Sequence, residues 1–237
     1  MINNKSDTIL RFYLLATTLK NKIRQGSIYW NVTAKRRESI AEHVYDTCIL
    51  AIAIDSEYKL DIDIKKVVEM LVIHELEEII IGDITPFDNI SNEEKLQMGK
   101  KAVLDIFDGL KKEQEYIELT DEFNLKQTKE AKFAYLCDKL DFDLQMKLYA
   151  DQGYIKLDQK SKSPIFKNTK VQNILKNGAK SAPDVFYNYD VEKYINYPEF
   201  KNLLDYAYSN NLNELLNNYL KNIWACFSSS FLFKKFL

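Results

Sequence analysis

The chain has 237 residues, of which 46% are hydrophobic and 29% charged, with a formal net charge of −2. That balance fits a globular chain long enough to bury a substantial core, and it supplies no broad cationic field for non-specific nucleic-acid binding. Six glycines and four prolines are few for this length, so the composition predicts a mostly helical, all-α fold.

The first predicted helix covers about Thr8 to Lys22, with Ile9, Phe12, Tyr13, Leu15, Ala16 and Leu19 on its apolar face. A polar connection from Arg24 to Arg37 follows and carries Gly26, Tyr29 and Trp30. Ser39 with Glu42 three residues later has capping-box spacing and opens a helix to about Tyr58. The next helix starts at Asp61 or Asp63, runs from Ile64 to Ile81 and ends at Gly82, a C-cap glycine. It is apolar on nearly every side, which predicts burial in the middle of the fold. Pro86 breaks the chain, and Ser91 caps a charged helix from Asn92 to about Lys112. Another helix spans roughly Thr128 to Tyr149 and is interrupted by Asp138, Asp141 and Asp143. Residues 151–190 read as loops with a short helix near Val171–Leu175, and Glu199 to about Phe227 is helical again. The aromatic residues Trp224, Phe227, Phe231, Phe233 and Phe236 read as tail packing or an oligomer contact.

Only two histidines are present, and each adjoins a carboxylate: Glu42-His43 and His74-Glu75. Imidazole nitrogen with carboxylate oxygen is a ligand set suited to divalent transition metals. On a helix His74 shares a face with Glu78, and Glu75 lies three residues before Glu78, so one imidazole and two carboxylates can converge. Buried carboxylates are costly unless neutralised, which makes these acids informative on so apolar a helix. Asp83 follows Gly82, where the chain turns, and His43 and Asp138 come from other helices. Together they would form a metal site drawn from three helices of a bundle. Asp141, one turn beyond Asp138, is an alternative ligand.

The segments RRESIAEH (Arg36 to His43), HELEEIIIGDITPFDNISNEEK (His74 to Lys95) and EAKFAYLCDKLD (Glu130 to Asp141) resemble the HD-domain phosphohydrolases. The similarity is to the branch containing 5′-deoxynucleotidases and spans about residues 8–150. The resemblance implies an HD-domain helical bundle over residues 1–150; residues 151–237 have no counterpart in it, and their own pattern reads as a C-terminal helical extension packed on the same domain. The resemblance also implies His43, His74, Glu75 and Asp138 as metal ligands for cobalt, manganese, iron, zinc or magnesium. Glu78 and Asp83 fall on the family's catalytic acidic positions, Glu78 orienting a nucleophilic water and Asp83 protonating the departing oxygen. Arg36 or Arg37 would pair with phosphate, since guanidinium matches phosphate bidentately. Hydrolysis of a nucleoside (deoxy) 5′-monophosphate is the expected activity.

Two departures stand out. The family's usual His-Asp pair is His74-Glu75 here, and its upstream Arg-x-Gly-Trp reads Arg24-Gln25-Gly26-Ser27, with the tryptophan displaced to Trp30. Alternative readings are a nucleoside triphosphate or cyclic nucleotide hydrolase, and a degenerate domain that binds nucleotide without catalysis. Glu77 is expected to point away from His74, into solvent or a salt bridge. Cys48, Cys137 and Cys226 are too scattered for a zinc knuckle or disulfide framework, and the amino terminus lacks a signal-peptide apolar region. The sequence therefore reads as cytoplasmic, with a small-molecule nucleotide substrate and neither nucleic-acid nor membrane partners. An apolar helix face left over after packing could form a homodimer.

Overall fold

The computed structural model describes residues 5–229, in which every regular element is helical apart from an isolated antiparallel bridge between Ile23 and Ser39. No helix among them is long and apolar enough to cross a membrane. Phe231, Phe233 and Phe236 lie outside the described residues. Helix α1 (Lys5–Thr17) passes through a tight 3-10 turn into the short α2 (Gln25–Tyr29). Helix α3 (Ile40–Tyr58) opens on the expected capping box, in which the Ser39 hydroxyl accepts from the Glu42 N–H and the Glu42 carboxylate accepts from the Ser39 N–H. That box fixes the first turn of the helix that carries His43.

The predicted helix from Ile64 to Ile81 divides into α4 (Ile64–Ile73) and α5 (Glu78–Ile81). Asp63 is its N-cap, accepting from the Lys65 and Lys66 N–H groups. Between the two helices the backbone tightens, with three-residue hydrogen bonds from Leu76 N–H to the Ile73 carbonyl and from Glu78 N–H to the Glu75 carbonyl. A tightened turn within a helical run re-aims its side chains, and this one carries His74, Glu75 and Glu77. Gly82 ends α5 at φ 78°, a conformation open to glycine.

Helix α6 (Asn92–Phe107) also opens on a capping box, between Ser91 and Glu94. It is shorter than its sequence pattern, and a separate α7 (Glu113–Leu125) follows. The charged sequence of α7 hides its helical face, since only Leu119, Thr120 and Phe123 are buried. The long α8 (Lys129–Asp151), capped by Thr128, packs against α3, α4 and α7. The stretch 151–190 holds α9 (Thr169–Lys176) and a further helix, α10 (Ala182–Asp190), which starts with Pro183 in its first turn. The carboxy-terminal helical stretch is two helices, α11 (Pro198–Tyr208) and α12 (Leu212–Ser229).

Helix α8 is the axis of the molecule, and both buried apolar clusters form on it. One joins α3, α4 and α8, through residues such as Ile40, Met70, Leu71 and Leu140, and includes Tyr194, Phe200 and Leu204 from beyond residue 151. The second joins Met146 and Tyr149 of α8 to Trp30, Val171, Val185 and Phe186. Phe200 stands edge-on to Phe133 of α8 at 5.2 Å, and Tyr194 donates to the buried Asp143 carboxylate at 2.8 Å. Asp151 at the end of α8 accepts from the Leu212 N–H at 2.7 Å, tethering α12. Because residues after 151 share the α8 core, Phe200→Ala should destabilise the whole chain by about 3–5 kcal/mol. Calorimetry should show one cooperative transition at a lowered Tm, and a separate early transition would show an independent carboxy-terminal unit.

Candidate metal and active site

Three helical elements deliver four ligand atoms to one buried point. His43 comes from the first turns of α3, His74 and Glu75 from the tightened turn after α4, and Asp138 from the middle of α8. One ligand atom of each lies within 4.8 Å of the others, and all four residues are buried. His43 Nε2 is 3.1 Å from Asp138 Oδ1 and 3.4 Å from Glu75 Oε1. His74 Nε2 is 3.6 Å from Glu75 Oε1 and 3.9 Å from Asp138 Oδ1. Ligand bonds of about 2.1 Å space neighbouring ligand atoms by roughly 3 to 3.5 Å, so these separations suit one ion.

The protonation pattern tests that fit more sharply. His74 Nδ1 lies 2.6 Å from the Leu71 carbonyl, which can only accept, so Nδ1 carries the proton. Burial holds the His74 pKa below its ordinary value, leaving the ring neutral. Its Nε2 lone pair is buried with no hydrogen-bond partner and faces two carboxylate oxygens. A bare acceptor aimed at acceptors is unfavourable unless a cation stands between them. The residues fit a divalent metal.

Asp141 resolves its rivalry with Asp138 by position. Its Oδ2 accepts from His43 Nδ1 at 2.7 Å, on the ring edge opposite the cluster, so Asp141 orients the imidazole. Burial and Arg24 lower the His43 pKa, but hydrogen bonds to Asp138 and Asp141 raise it well above the usual value overall. Burial likewise disfavours the charged carboxylates, yet Lys139 and the histidines hold Asp138 well below its usual range. His74 and Arg24 do the same for Glu75. Glutamate's extra methylene therefore does not carry the carboxylate out of the cluster.

Glu78 is buried beside this group, and its Oε2 has no partner. Burial, reinforced by Glu75 and Asp83, pushes its carboxyl well above the ordinary range. Asp83 accepts from the Gln25 N–H at 2.7 Å. Glu77 departs from its expectation of a solvent-facing acid or salt bridge. It is buried, no ion pair of the described residues includes it, and its carboxylate packs on Gly99 of α6 so closely that a Cβ there would lie 2.4 Å from Oε2. The tightened turn aims it inward, and glycine leaves the room.

Neither Arg36 nor Arg37 lines the cavity next to the cluster. Arg36 has a side chain 80% exposed and pairs with Glu42 at the α3 capping box, which leaves it facing solvent. The guanidinium at the site belongs to Arg24, buried, with Nη1 2.8 Å from Glu75 Oε1 and 3.8 Å from Asp83 Oδ2. The signal for Arg24 was its place before Gly26, obscured by the missing tryptophan. Helix α2 coils that segment, and the Trp30 N–H donates to the Gly26 carbonyl at 3.0 Å, returning Trp30 to the same cavity. Gly26 itself lies against Phe142, whose Cε2 would sit 2.6 Å from an added Cβ.

The cavity measures about 670 Å³ and joins the ligand cluster to Glu78, Asp83 and Arg24. Trp30, Phe142, Phe186 and Tyr189 line it on one side. The GDITPFDN loop that edges it is braced, with Asp88 accepting from the Thr85 N–H at 2.7 Å and Lys95 donating to the Ile84 carbonyl at 2.7 Å.

Comparison with known proteins places this arrangement among relatives. A family model described as an HD domain matches residues 16–180. The chain is 34% identical to human 5′-deoxynucleotidase HDDC2 over 61% of its own length and 69% of that protein. It is 30% identical to the Dictyostelium discoideum protein of the same name, over 66% of this chain and 85% of that one. Among solved structures, a protein described as a predicted metal-dependent phosphohydrolase from Magnetospirillum magnetotacticum superposes with a TM-score of 0.60. It is 20% identical, and the match covers 88% of this chain and 96% of that one. The PH0347 protein from Pyrococcus horikoshii gives 0.55 at 21% identity, over 84% and 98%. These two likenesses concern the fold.

Two measurements follow. Asp141→Asn should weaken divalent-metal affinity by about 10–100-fold in a chelator competition, while leaving the helical circular dichroism intact; unchanged affinity would remove Asp141 from the site. Burial pushes the Glu77 carboxyl up to about 7, against the pull of Lys95. The folded chain thus holds this proton more tightly than the unfolded chain, whose glutamates titrate near about 4.3. The associated stability is present below that value and is lost as pH rises through 7. Glu77→Gln should flatten the fall in Tm from pH 5 to pH 7.5, and an unaltered slope would exonerate Glu77.

Proposed function

This chain belongs to the HD domain family, and from that membership we propose that it hydrolyses the phosphoester of a nucleoside 5′-monophosphate, releasing nucleoside and phosphate. The observation that carries the reading is the buried, partnerless Nε2 of His74 facing Glu75 and Asp138. His43, His74, Glu75 and Asp138 would hold a divalent ion there. When bound, such an ion lowers the pKa of a water and polarises a phosphoryl oxygen.

The remaining roles fall to side chains of the cavity. Glu78 has no internal partner for Oε2, so a water is its natural one, and it orients the attacking water toward phosphorus. Asp83, held by the Gln25 N–H at the cavity edge, relays the proton lost by the attacking water to the nucleoside oxygen as its bond to phosphorus breaks. Arg24 takes the phosphate role expected of Arg36 or Arg37, because its guanidinium is buried at the cluster and its Nε is unpartnered. Trp30, Phe142, Phe186 and Tyr189 offer flat apolar surface for the base and sugar. The names of the HDDC2 relatives support a deoxyribonucleotide substrate.

Phosphate release from a panel of nucleoside 5′-monophosphates, with and without added cobalt, manganese, iron, zinc or magnesium, tests the reading. Activity should require metal and fall at least about 10³-fold in His74→Ala and in Asp138→Ala, as loss of a group needed in the transition state does. Glu75→Asp should change it by less than about tenfold, since the glutamate already reaches the cluster. A metal-loaded protein that releases phosphate from no nucleotide of the panel sinks the proposal.

A further inference from the structure

The cavity is polarised along α8. Tyr135, Asp138, Lys139, Phe142 and Asp143 line it, at the spacing of one helical face. At about 1.5 Å per residue this face runs for about 12 Å. The ligand Asp138 sits near its middle. Toward the carboxy-terminal end stand Phe142 and the aromatic wall, where Lys170 and Lys193 lie over the Tyr189 ring but are paired with Glu192 and Asp190. Toward the amino-terminal end the cavity turns basic: Lys126, from the end of α7, lies over the Tyr135 ring at 4.7 Å, and Lys139 lies 5.5 Å from the same ring. Lys95 of α6 lines the same cavity.

Two of these three ammonium groups have no ion pair among the described residues, although Glu77 and Asp88 lie near enough to attract Lys95. Among the described residues Lys126 forms no ion pair, and its hydrogen bond goes to the nearby Asn124 carbonyl at 3.2 Å. Lys95 donates to the Ile84 carbonyl and forms no ion pair either. Only Lys139 has a carboxylate, Asp138 Oδ2 at 2.8 Å. Lys126 also occupies the left-handed C-cap of α7 at φ 53°, a position at which glycine or asparagine is the unstrained choice. Neighbouring like charges held at one end of a cavity call for an anion.

We propose that Lys126, Lys139 and Lys95 form a second anion subsite, beyond the ligand cluster and opposite the aromatic wall, which takes the distal phosphate of a nucleoside 5′-diphosphate or triphosphate. The placement rests on the monophosphate reading, in which the first phosphate lies at the cluster and the nucleoside along Phe142. Longer phosphate chains then extend away from the nucleoside toward the lysines. Such nucleotides occupy the same cavity as the monophosphate and compete with it.

The test compares equilibrium binding of deoxynucleoside 5′-monophosphates and 5′-diphosphates, as pairs for the four common bases, to the metal-loaded full chain. The diphosphate of at least one base should bind more tightly than its monophosphate. Lys126→Asn, which suits the left-handed backbone, should lower that diphosphate-to-monophosphate affinity ratio by about tenfold, the scale of one charge-assisted hydrogen bond. Lys126→Arg should restore the ratio, and Lys170→Met, at the aromatic end, should leave it alone. Diphosphates that bind no more tightly than monophosphates, or a ratio indifferent to Lys126→Asn, overturn the subsite. Equal sensitivity of the ratio to Lys170→Met also overturns it, because general electrostatics would then suffice. If no monophosphate is hydrolysed but the ratio falls in Lys126→Asn, the subsite stands and the hydrolytic reading fails. If monophosphates are hydrolysed and the ratio is unaltered, the hydrolytic reading stands and the subsite fails.

Discussion

Everything in this molecule is arranged around four ligand atoms that would not choose one another's company. Two carboxylates and two imidazole nitrogens meet in a buried pocket, where desolvation disfavours charge and like groups repel. The pocket persists because each member is held from behind. Leu71 fixes the His74 tautomer, Asp141 fixes the His43 ring, Arg24 grips Glu75 and Lys139 grips Asp138. Helix α3 has a capped start close to His43, so the direction of that side chain is set by backbone that cannot easily relax. The capping box of Ser39 and Glu42 stands only one residue before His43.

The same constraint explains the one irregular stretch of the core. A continuous helix from Ile64 to Gly82 would place Glu75 about 100° around the helix from His74, while Glu78 shared the face of His74. The tightened hydrogen bonding between α4 and α5 instead brings His74 and Glu75 to one cluster and turns Glu77 inward onto Gly99. Lys22 then donates to the Glu78 and Ile79 carbonyls at 2.8 and 3.1 Å, satisfying groups near the end of the short α5. A local departure from regular helix is thus stabilised by a long-range contact, which is the pattern expected where geometry at a site outweighs helix propensity.

That asymmetry also marks what could be read from the chain alone. Caps are local chemistry, so Ser39, Asp63, Ser91 and Thr128 announce their helices and Gly82 announces an end. The four clustered residues are legible because a scarce residue type lies beside acids on apolar helices. Other features depend on partners distant in sequence. Helix α7 is rich in acids between its apolar residues, and it is helical because Leu119 and Phe123 find the α8 core. Arg24 reads as one more loop cation until α2 coils it into the site, whereas Arg36 has the right local neighbourhood and the wrong environment. Glu77 reads as solvated because a regular helix would turn it outward.

Helix α8 links these observations to specificity. Its buried face carries a ligand, a cation and an aromatic ring within one and a half turns, so position along a single rigid rod becomes position along the cavity. The residues that share the cavity with its carboxy-terminal half include Gly26 of α2 and Phe186 of α10, and those that share it with its amino-terminal half include Lys95 of α6 and Phe123 of α7. Substitutions in either set can change what fits at one end without disturbing the cluster between them. The chain's departures from its family's pattern follow that division. Tryptophan at position 30 stands at the aromatic end, while glutamate at position 75 leaves the centre able to assemble because Oε1 still reaches both imidazoles. Variation at the ends around a fixed arrangement at the centre would let one helical scaffold accept different ligands while keeping one chemistry.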